Sequence, residues 1–117
     1  MGDLAILLKR PPYGEISAAE AVRHALGAVS GELGVDLVLL DGGVLLAMKG
    51  QDDTGTGFTN LEDALRDCID MGVAVYADDR SLKSRHIAQE TIVDGVQVVN
   101  NAAIAKLVKA ARTTMIF

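Results

Sequence analysis

The chain has 117 residues and a formal net charge of -5; hydrophobic residues make up 50% of it and aromatic residues 3%. This length predicts a single domain over residues 1–117, and the composition excludes disordered, collagen-like and low-complexity proteins. The excess of acidic over basic residues argues against nucleic-acid binding, because few side chains could neutralise phosphates.

The first third of the chain predicts two buried strands with a helix between them. Continuous apolar runs at 3–8 and 35–40 are typical of strands that are buried on both faces. Ser17 and Glu20 match a capping box, which predicts a helix start, and Gly34 occupies the position of a left-handed cap. The predicted inner face of this helix consists of Ala18, Val22, Ala25, Leu26, Val29 and Leu33.

The middle of the chain predicts an acidic loop, a second helix and a third strand. The segment 44–48 suits one or two helical turns, and 50–58 is a loop rich in Gly and Asp. Asn60 or Thr59 is expected to cap a helix that runs to 71, and 73–77 reads as a strand. The inner face of that helix is predicted to hold Leu61, Ala64, Leu65, Cys68 and Ile69.

The last third predicts two further strands around a third helix. Residues 78–85 form a polar segment, 87–92 suits a helical turn, and 96–99 follows the Asp94-Gly95 turn as a short strand. Asn100 or Asn101 is expected to cap a helix over 102–112, and 113–117 reads as a strand. This alternation predicts an α/β fold whose parallel sheet has helices on both faces.

The predicted topology places several polar segments at one edge of the sheet. Ligands of open parallel sheets bind beyond the carboxyl ends of the strands, where 9–14, 41–43, 78–81 and 100–101 should meet. Exposed loops are polar in any protein, so each residue alone is weak evidence. The pocket we predict from these segments is lined by Tyr13, Gly14, Asp41, Asp78, Arg80 and Ser81.

The remaining candidates for chemistry are one thiol and a few basic residues. Cys68 lies on an apolar helix face beside Asp67, which favours a small buried residue over a nucleophile. His24 lies off the apolar stripe of its helix and is expected to be solvated. The basic run of Arg80, Lys83, Arg85 and His86 is either a solvated loop or a small-anion site at the sheet edge.

In the order of these features, the chain resembles members of the DsrE/DsrF-like family of sulfur-relay proteins, which includes TusC, TusD and YchN-like proteins. The resemblance covers nearly the whole chain and rests on short motifs in a fixed order. These are Pro12-Tyr13-Gly14 after the first strand, Asp41-Gly42 after the second, Lys49-Gly50-Gln51, Asp94-Gly95-Val96, and a last strand that ends in Phe117.

The resemblance implies a three-layer α/β/α domain with a five-stranded, mainly parallel sheet that assembles into trimers or hexamers. Active family members carry sulfur as a persulfide on a cysteine directly after the third strand. That position corresponds to Asp78 in this chain, and a second family cysteine corresponds to Ser81. Cys68 lies elsewhere, so the resemblance gives it no role.

These observations favour a non-catalytic binding or scaffold subunit of sulfur metabolism, with sulfur-relay proteins as partners and no cofactor or metal. Two alternatives stay open: a thiol (persulfide) sulfurtransferase that uses Cys68, and a small-anion or nucleotide-binding module. A mean hydropathy of +0.27 predicts a homo-oligomer whose contacts involve 44–48 and the last helix. A single cysteine, the lack of a leader and the lack of long apolar runs predict a cytoplasmic protein outside membranes.

Overall fold

The protein has an α/β fold, and its computed structural model describes residues 2–57 and 59–117. The predicted loop residue Phe58 lies outside the described residues. In chain order the elements are β1 (Leu4–Leu8), α1 (Ser17–Ser30), β2 (Val35–Leu39), a first 3₁₀ helix (Asp41–Ala47), α2 (Leu61–Asp70), β3 (Ala74–Asp78), α3 (Asp79–Ser84), a second 3₁₀ helix (Gln89–Thr91), β4 (Gln97–Val99), α4 (Asn101–Ala110) and β5 (Thr113–Ile116).

The strands form one parallel sheet in the order β4-β3-β2-β1-β5. The chain moves outward from β1 to β4 and then returns across the sheet to place β5 beside β1. Because crossover connections between parallel strands are right-handed, this reversal puts α4 on the face opposite to α1 and α2. The predicted three-layer architecture with a five-stranded parallel sheet is confirmed.

The main core lies between one face of the sheet and helices α1 and α2. Ile6, Leu37 and Val75 pair across three neighbouring strands and are completely buried. The helices add Ala, Val and Leu side chains rather than rings, as the scarcity of aromatic residues requires. Of the predicted helix faces, Ala18, Val22, Ala25, Leu61, Leu65 and Cys68 are buried in this core.

The opposite face of the sheet is covered less completely, because α4 is the helix that crosses it. Ala5 and Val38 are fully buried there, but Ile116 on the edge strand is 66% exposed. Asp36 also points to this face, since its register partners Ala5 and Ala74 alternate with core residues along their strands. This face therefore holds both exposed apolar surface and a buried carboxylate.

The predicted boundaries of α1 are wrong at both ends. The Ser17 hydroxyl does not cap the helix. Instead, the carboxylate of Glu15, which precedes the helix, accepts a hydrogen bond of 3.2 Å from the Ser17 N–H. The helix ends three residues early, because Glu32 (φ 67°) rather than Gly34 takes the left-handed conformation. Leu33 therefore falls outside the helix and is exposed instead of lying on its inner face.

Two further predictions need correction. The polar segment after β3 is not a loop but contains the six-residue helix α3, which packs Leu82 into the core. The segment 44–48 was predicted to supply exposed apolar surface for assembly, but Val44, Leu46 and Ala47 are buried within the chain. The tight 3₁₀ turns bring these side chains inward over the ends of the strands.

No helix within residues 2–57 and 59–117 has the length and apolar character needed to cross a membrane.

Candidate functional site

A groove of about 340 Å³ opens at the carboxyl edge of the sheet, where β3 and β4 end side by side. Each of these strands is followed directly by a helix, so the groove lies between the first turns of α3 and α4. Its lining consists of Asp78, Asp79, Arg80, Asn100, Asn101 and Ala102. This is the edge at which ligands of parallel sheets bind.

Asp78 is the buried polar residue of the groove, with only 6% of its surface exposed. Its Oδ2 accepts hydrogen bonds from the Ser81 N–H at 3.2 Å and from the Ser81 hydroxyl at 2.6 Å, so the carboxylate caps α3. Its second oxygen, Oδ1, is buried and has no hydrogen-bond partner among the described residues. The carboxylate therefore has one buried acceptor that the described residues leave unsatisfied.

Ser81 connects this cap to the neighbouring strand. Its hydroxyl oxygen accepts from the Asp41 N–H at 2.9 Å, at the start of the first 3₁₀ helix. Asp41, Asp78 and Ser81 were all predicted site residues, and the structure links them in one chain of hydrogen bonds. Arg80 lines the groove and is exposed to solvent.

Tyr13 and Gly14 do not line this groove. The Tyr13 hydroxyl donates to Oε1 of Gln51 at 2.9 Å and accepts from the Leu61 N–H at 2.9 Å, which ties the β1–α1 loop to α2. Tyr13 adopts a φ of 68°, so its side chain leaves the sheet edge on the side of α2. The predicted pocket is therefore divided between two places, with a polar groove at β3 and β4 and a structural contact at Tyr13.

Asp79 and Ala102 line the groove but were not among the predicted site residues. The cap that positions α3 was also missed, although a side-chain acceptor three residues before Ser81 is a helix-start signal. The other cap was predicted: Asn100 Oδ1 accepts from the Ala103 N–H at 3.0 Å and starts α4.

Cys68 lies in the core, away from the groove, and has no exposed surface. Its thiol donates weakly to the carbonyl oxygen of Val22 at 3.9 Å, between α2 and α1. Burial, together with the negative charge of Asp67, raises the pKa of the Cys68 thiol to about 11. Because the thiolate is the nucleophilic form, this environment opposes reaction at Cys68.

The basic residues after Arg80 are exposed, and one of them is paired with a carboxylate. Lys83 pairs with Asp79 at 3.1 Å, while Arg85 and His86 are exposed. Two carboxylates, Asp78 and Asp79, line the groove beside Arg80, so the groove does not have the positive surroundings that an anion requires.

His24 was expected to be solvated, but its side chain is partly buried. Its ring centre lies 5.3 Å from that of Phe117, and its Nδ1 lies 2.8 Å from the carbonyl oxygen of Glu20. Among the described residues, no three His, Cys, Asp or Glu side chains are grouped as metal ligands would be.

Comparison with known proteins gives a consistent family assignment. The model of the DsrE/DsrF-like family matches residues 3–117. The intracellular sulfur oxidation protein DsrF of Allochromatium vinosum is 34% identical over 89 residues, which are 75% of this chain and 65% of DsrF. A TusC homolog of Pseudomonas aeruginosa is 29% identical over 108 residues, which are 92% of this chain and 91% of that protein.

The fold is also found in a solved structure. The crystal structure of the ychN protein from E. coli covers 100% of both chains with a TM-score of 0.88 at 24% sequence identity. At that identity, the likeness establishes the fold. The parallel sheet described above is therefore the architecture of a known protein and not peculiar to this chain.

Proposed function

The chain belongs to the DsrE/DsrF-like family, and we propose that it is a non-catalytic binding or scaffold subunit of sulfur metabolism that interacts with sulfur-relay proteins. The observation that carries the proposal is the residue at the carboxyl end of β3. The family resemblance assigns the persulfide-carrying cysteine to this position, and the chain has Asp78 there, with its carboxylate bonded to Ser81.

Sulfur relay requires a thiolate that can be reached by a partner. The thiolate attacks the terminal sulfur of a donor persulfide, a new S–S bond forms, and the donor leaves as a thiolate. Neither Asp78 nor Ser81 can carry out this step. Cys68 is the single cysteine of the chain, and its burial and its pKa of about 11 oppose it.

The groove supports a binding role in place of a chemical one. Asp79 supplies a carboxylate and Asn100 and Asn101 supply amide groups among the residues that line the groove, and the buried Oδ1 of Asp78 has no partner among the described residues. Such a groove suits a partner segment with hydrogen-bond donors. We place this role in the cytoplasm, where the free thiol of Cys68 remains reduced.

The proposal includes self-association. Among residues 2–57 and 59–117, four large apolar side chains are exposed: Ile16, Leu33, Met71 and Ile116. Association of copies through these side chains and the exposed side of α4, where Ala105 lies, would remove apolar surface from water. Sedimentation at micromolar protein concentration should give a trimer or hexamer; a species of about 12 kDa would contradict self-association.

A sulfur-loading experiment tests the central claim. The reduced protein is incubated with a cysteine desulfurase and ³⁵S-labelled cysteine, and protein-bound label that is released by a thiol reductant is counted. We expect no such label on the wild-type chain. The Asp78→Cys and Arg80→Cys variants, which place a thiol in the groove, should take up label, and Arg80→Cys leaves the α3 cap intact.

The Cys68→Ala variant gives the background for this measurement. If the wild-type chain acquires reducible label and Cys68→Ala does not, then Cys68 carries sulfur and the non-catalytic role is wrong. If the groove variants fail to label while their circular dichroism and melting remain native, then the groove is not accessible to a sulfur donor. That result contradicts the assignment of the groove to the relay position.

A further inference from the structure

A second groove, of about 240 Å³, lies between the sheet and α4, on the face opposite to the main core. The helix contributes residues at positions i, i+3, i+4 and i+7, which share one side of the helix. Two of these are alanines, so the helix leaves space above the strands. The groove is lined by Gly2, Asp36, Tyr76, Val99, Ala103, Lys106, Leu107 and Ala110.

Asp36 is the acidic group of this mostly apolar groove. It is 2% exposed, and the alanines Ala5 and Ala74 flank it on the neighbouring strands. The described residues form no hydrogen bond or ion pair with its carboxylate, and the charge that acts on it is that of the amino terminus. A buried carboxylate without a partner is costly, and a group that supplies a donor at this place would be bound favourably.

The surroundings of Asp36 favour a positively charged partner. Burial raises the pKa of Asp36, and the positive charge of the chain's amino terminus offsets only part of this increase. Burial and the charge of Asp36 also raise the pKa of Tyr76, which keeps the phenol neutral. Lys106, an exposed residue, also lines the groove.

We propose that this groove binds a small molecule with an apolar body and a primary ammonium group, which forms an ion pair with the carboxylate of Asp36. An anion would be repelled by Asp36, and a purely apolar molecule would leave the carboxylate unpaired. The volume is below the roughly 300–1,000 Å³ of most drug-sized sites, so the ligand is small. The inference does not rest on the proposed function at the carboxyl edge.

Matched probes of equal size test this inference on the full chain. Benzylamine, benzyl alcohol and benzoate share one ring and differ in charge, and each is titrated at neutral pH while the methyl signals of Val99, Ala103 and Leu107 are followed by NMR. We expect benzylamine to bind with a dissociation constant of about 1 mM, benzyl alcohol to bind about tenfold or more weakly, and benzoate not to bind.

Three variants assign the binding to the groove. Asp36→Asn should weaken benzylamine binding about tenfold or more and remove the preference over benzyl alcohol. Asp94→Asn removes the same charge at an exposed position and should leave binding unchanged. Ala103→Leu fills the groove and should abolish binding of both probes, which keeps the test valid even if Asp36→Asn disturbs the fold.

The inference is wrong if benzylamine binds no better than benzyl alcohol, or if Asp36→Asn binds it as the wild type does. It is also wrong if no probe binds because a second copy of the chain covers the groove. In that case the methyl signals of the groove would shift on dilution of the protein and not on addition of the probes.

Discussion

The Leu61 N–H donates a hydrogen bond of 2.9 Å to the phenol oxygen of Tyr13, 48 positions earlier in the chain. The first N–H groups of a helix have no partner within the helix, so this side chain satisfies one of them at the start of α2. The same hydroxyl donates to Gln51, whose amide donates in turn to the carbonyl oxygens of Leu46 and Met48. Tyr13 thereby joins α2 to the loop that precedes it.

Replacing Tyr13 by Phe should destabilise the protein by about 1–2 kcal/mol, because the half-buried N–H of Leu61 and the Gln51 side chain both lose a partner. Chemical denaturation measures this loss, and hydrogen exchange should show faster exchange at Leu61. The Ala103 N–H, which is capped by Asn100 in another helix, serves as the internal control. Unchanged exchange at Leu61 would contradict the role assigned to Tyr13.

Two glycines should respond in opposite ways to replacement by alanine. A Cβ at Gly43 would lie 2.1 Å from the carbonyl oxygen of Leu8, which is backbone and cannot move without breaking the β1 packing. We expect Gly43→Ala to cost about 3 kcal/mol or more in the free energy of unfolding. A denaturation midpoint equal to that of the wild type would show that the packing of β1 adapts.

Gly27 provides the matched control, since a Cβ there meets no atom within 4 Å and the residue lies inside α1. Gly27→Ala should stabilise the protein by about 1 kcal/mol, because alanine restricts the unfolded chain and favours the helix. The two variants are measured in the same denaturant series. A loss of stability in Gly27→Ala would mean that α1 is packed on this side as well.

The thiol of Cys68 should be inert in the native protein. Burial raises its pKa to about 11, so the reactive thiolate is scarce at neutral pH and is shielded by the core. A chromogenic disulfide reagent should give no rapid reaction until denaturant is added. In the Ser84→Cys variant, one exposed thiol should react at once and the second only after unfolding; fast reaction of the wild type would favour the thiol-transferase alternative.

Asp36 should make the stability depend on pH in a direction set by its raised pKa. Below the pKa that Asp36 has in the unfolded chain, its carboxyl group is protonated in both the folded and the unfolded state. In that range its titration does not change the free energy of unfolding. As the pH rises from there through the folded pKa, the unfolded chain releases the proton more readily, so the native state becomes less stable. Tyr76, which also lines the groove, has a pKa raised above its usual value and stays neutral in this acidic range, and the amino terminus acts on Asp36 as a positive charge.

The Asp36→Asn variant removes this dependence. Its melting temperature should exceed that of the wild type at neutral pH, and the difference should shrink towards zero in acid. The Asp94→Asn variant, which loses an exposed carboxylate, should follow the wild type across the same range. A constant difference between Asp36→Asn and the wild type at every pH would indicate a packing effect and not a titration.

Several features could be predicted because their causes are local. The apolar runs at 3–8, 35–40 and 73–77 predicted strands. Asn60 or Thr59, and Asn100 or Asn101, predicted helix starts, and in the structure Asn60 and Asn100 are the residues whose side chains bond three residues ahead. The short helix α3 was missed because six mostly polar residues carry no apolar period. The start of α1 was misplaced because Glu15, two residues before Ser17, supplies the acceptor.

The amino-acid order alone determined the alternation of strands and helices, since hydrophobic period and capping act between neighbours in the chain. Only the three-dimensional arrangement decided that Asp78 meets Ser81 and Asp41, that Tyr13 turns to Leu61, and that Asp36 faces a groove under α4. These outcomes depend on contacts between distant segments. The direction of a side chain at such a contact depends on the register of the strands and on the handedness of the crossover connections. A pattern among neighbouring residues does not encode either of these.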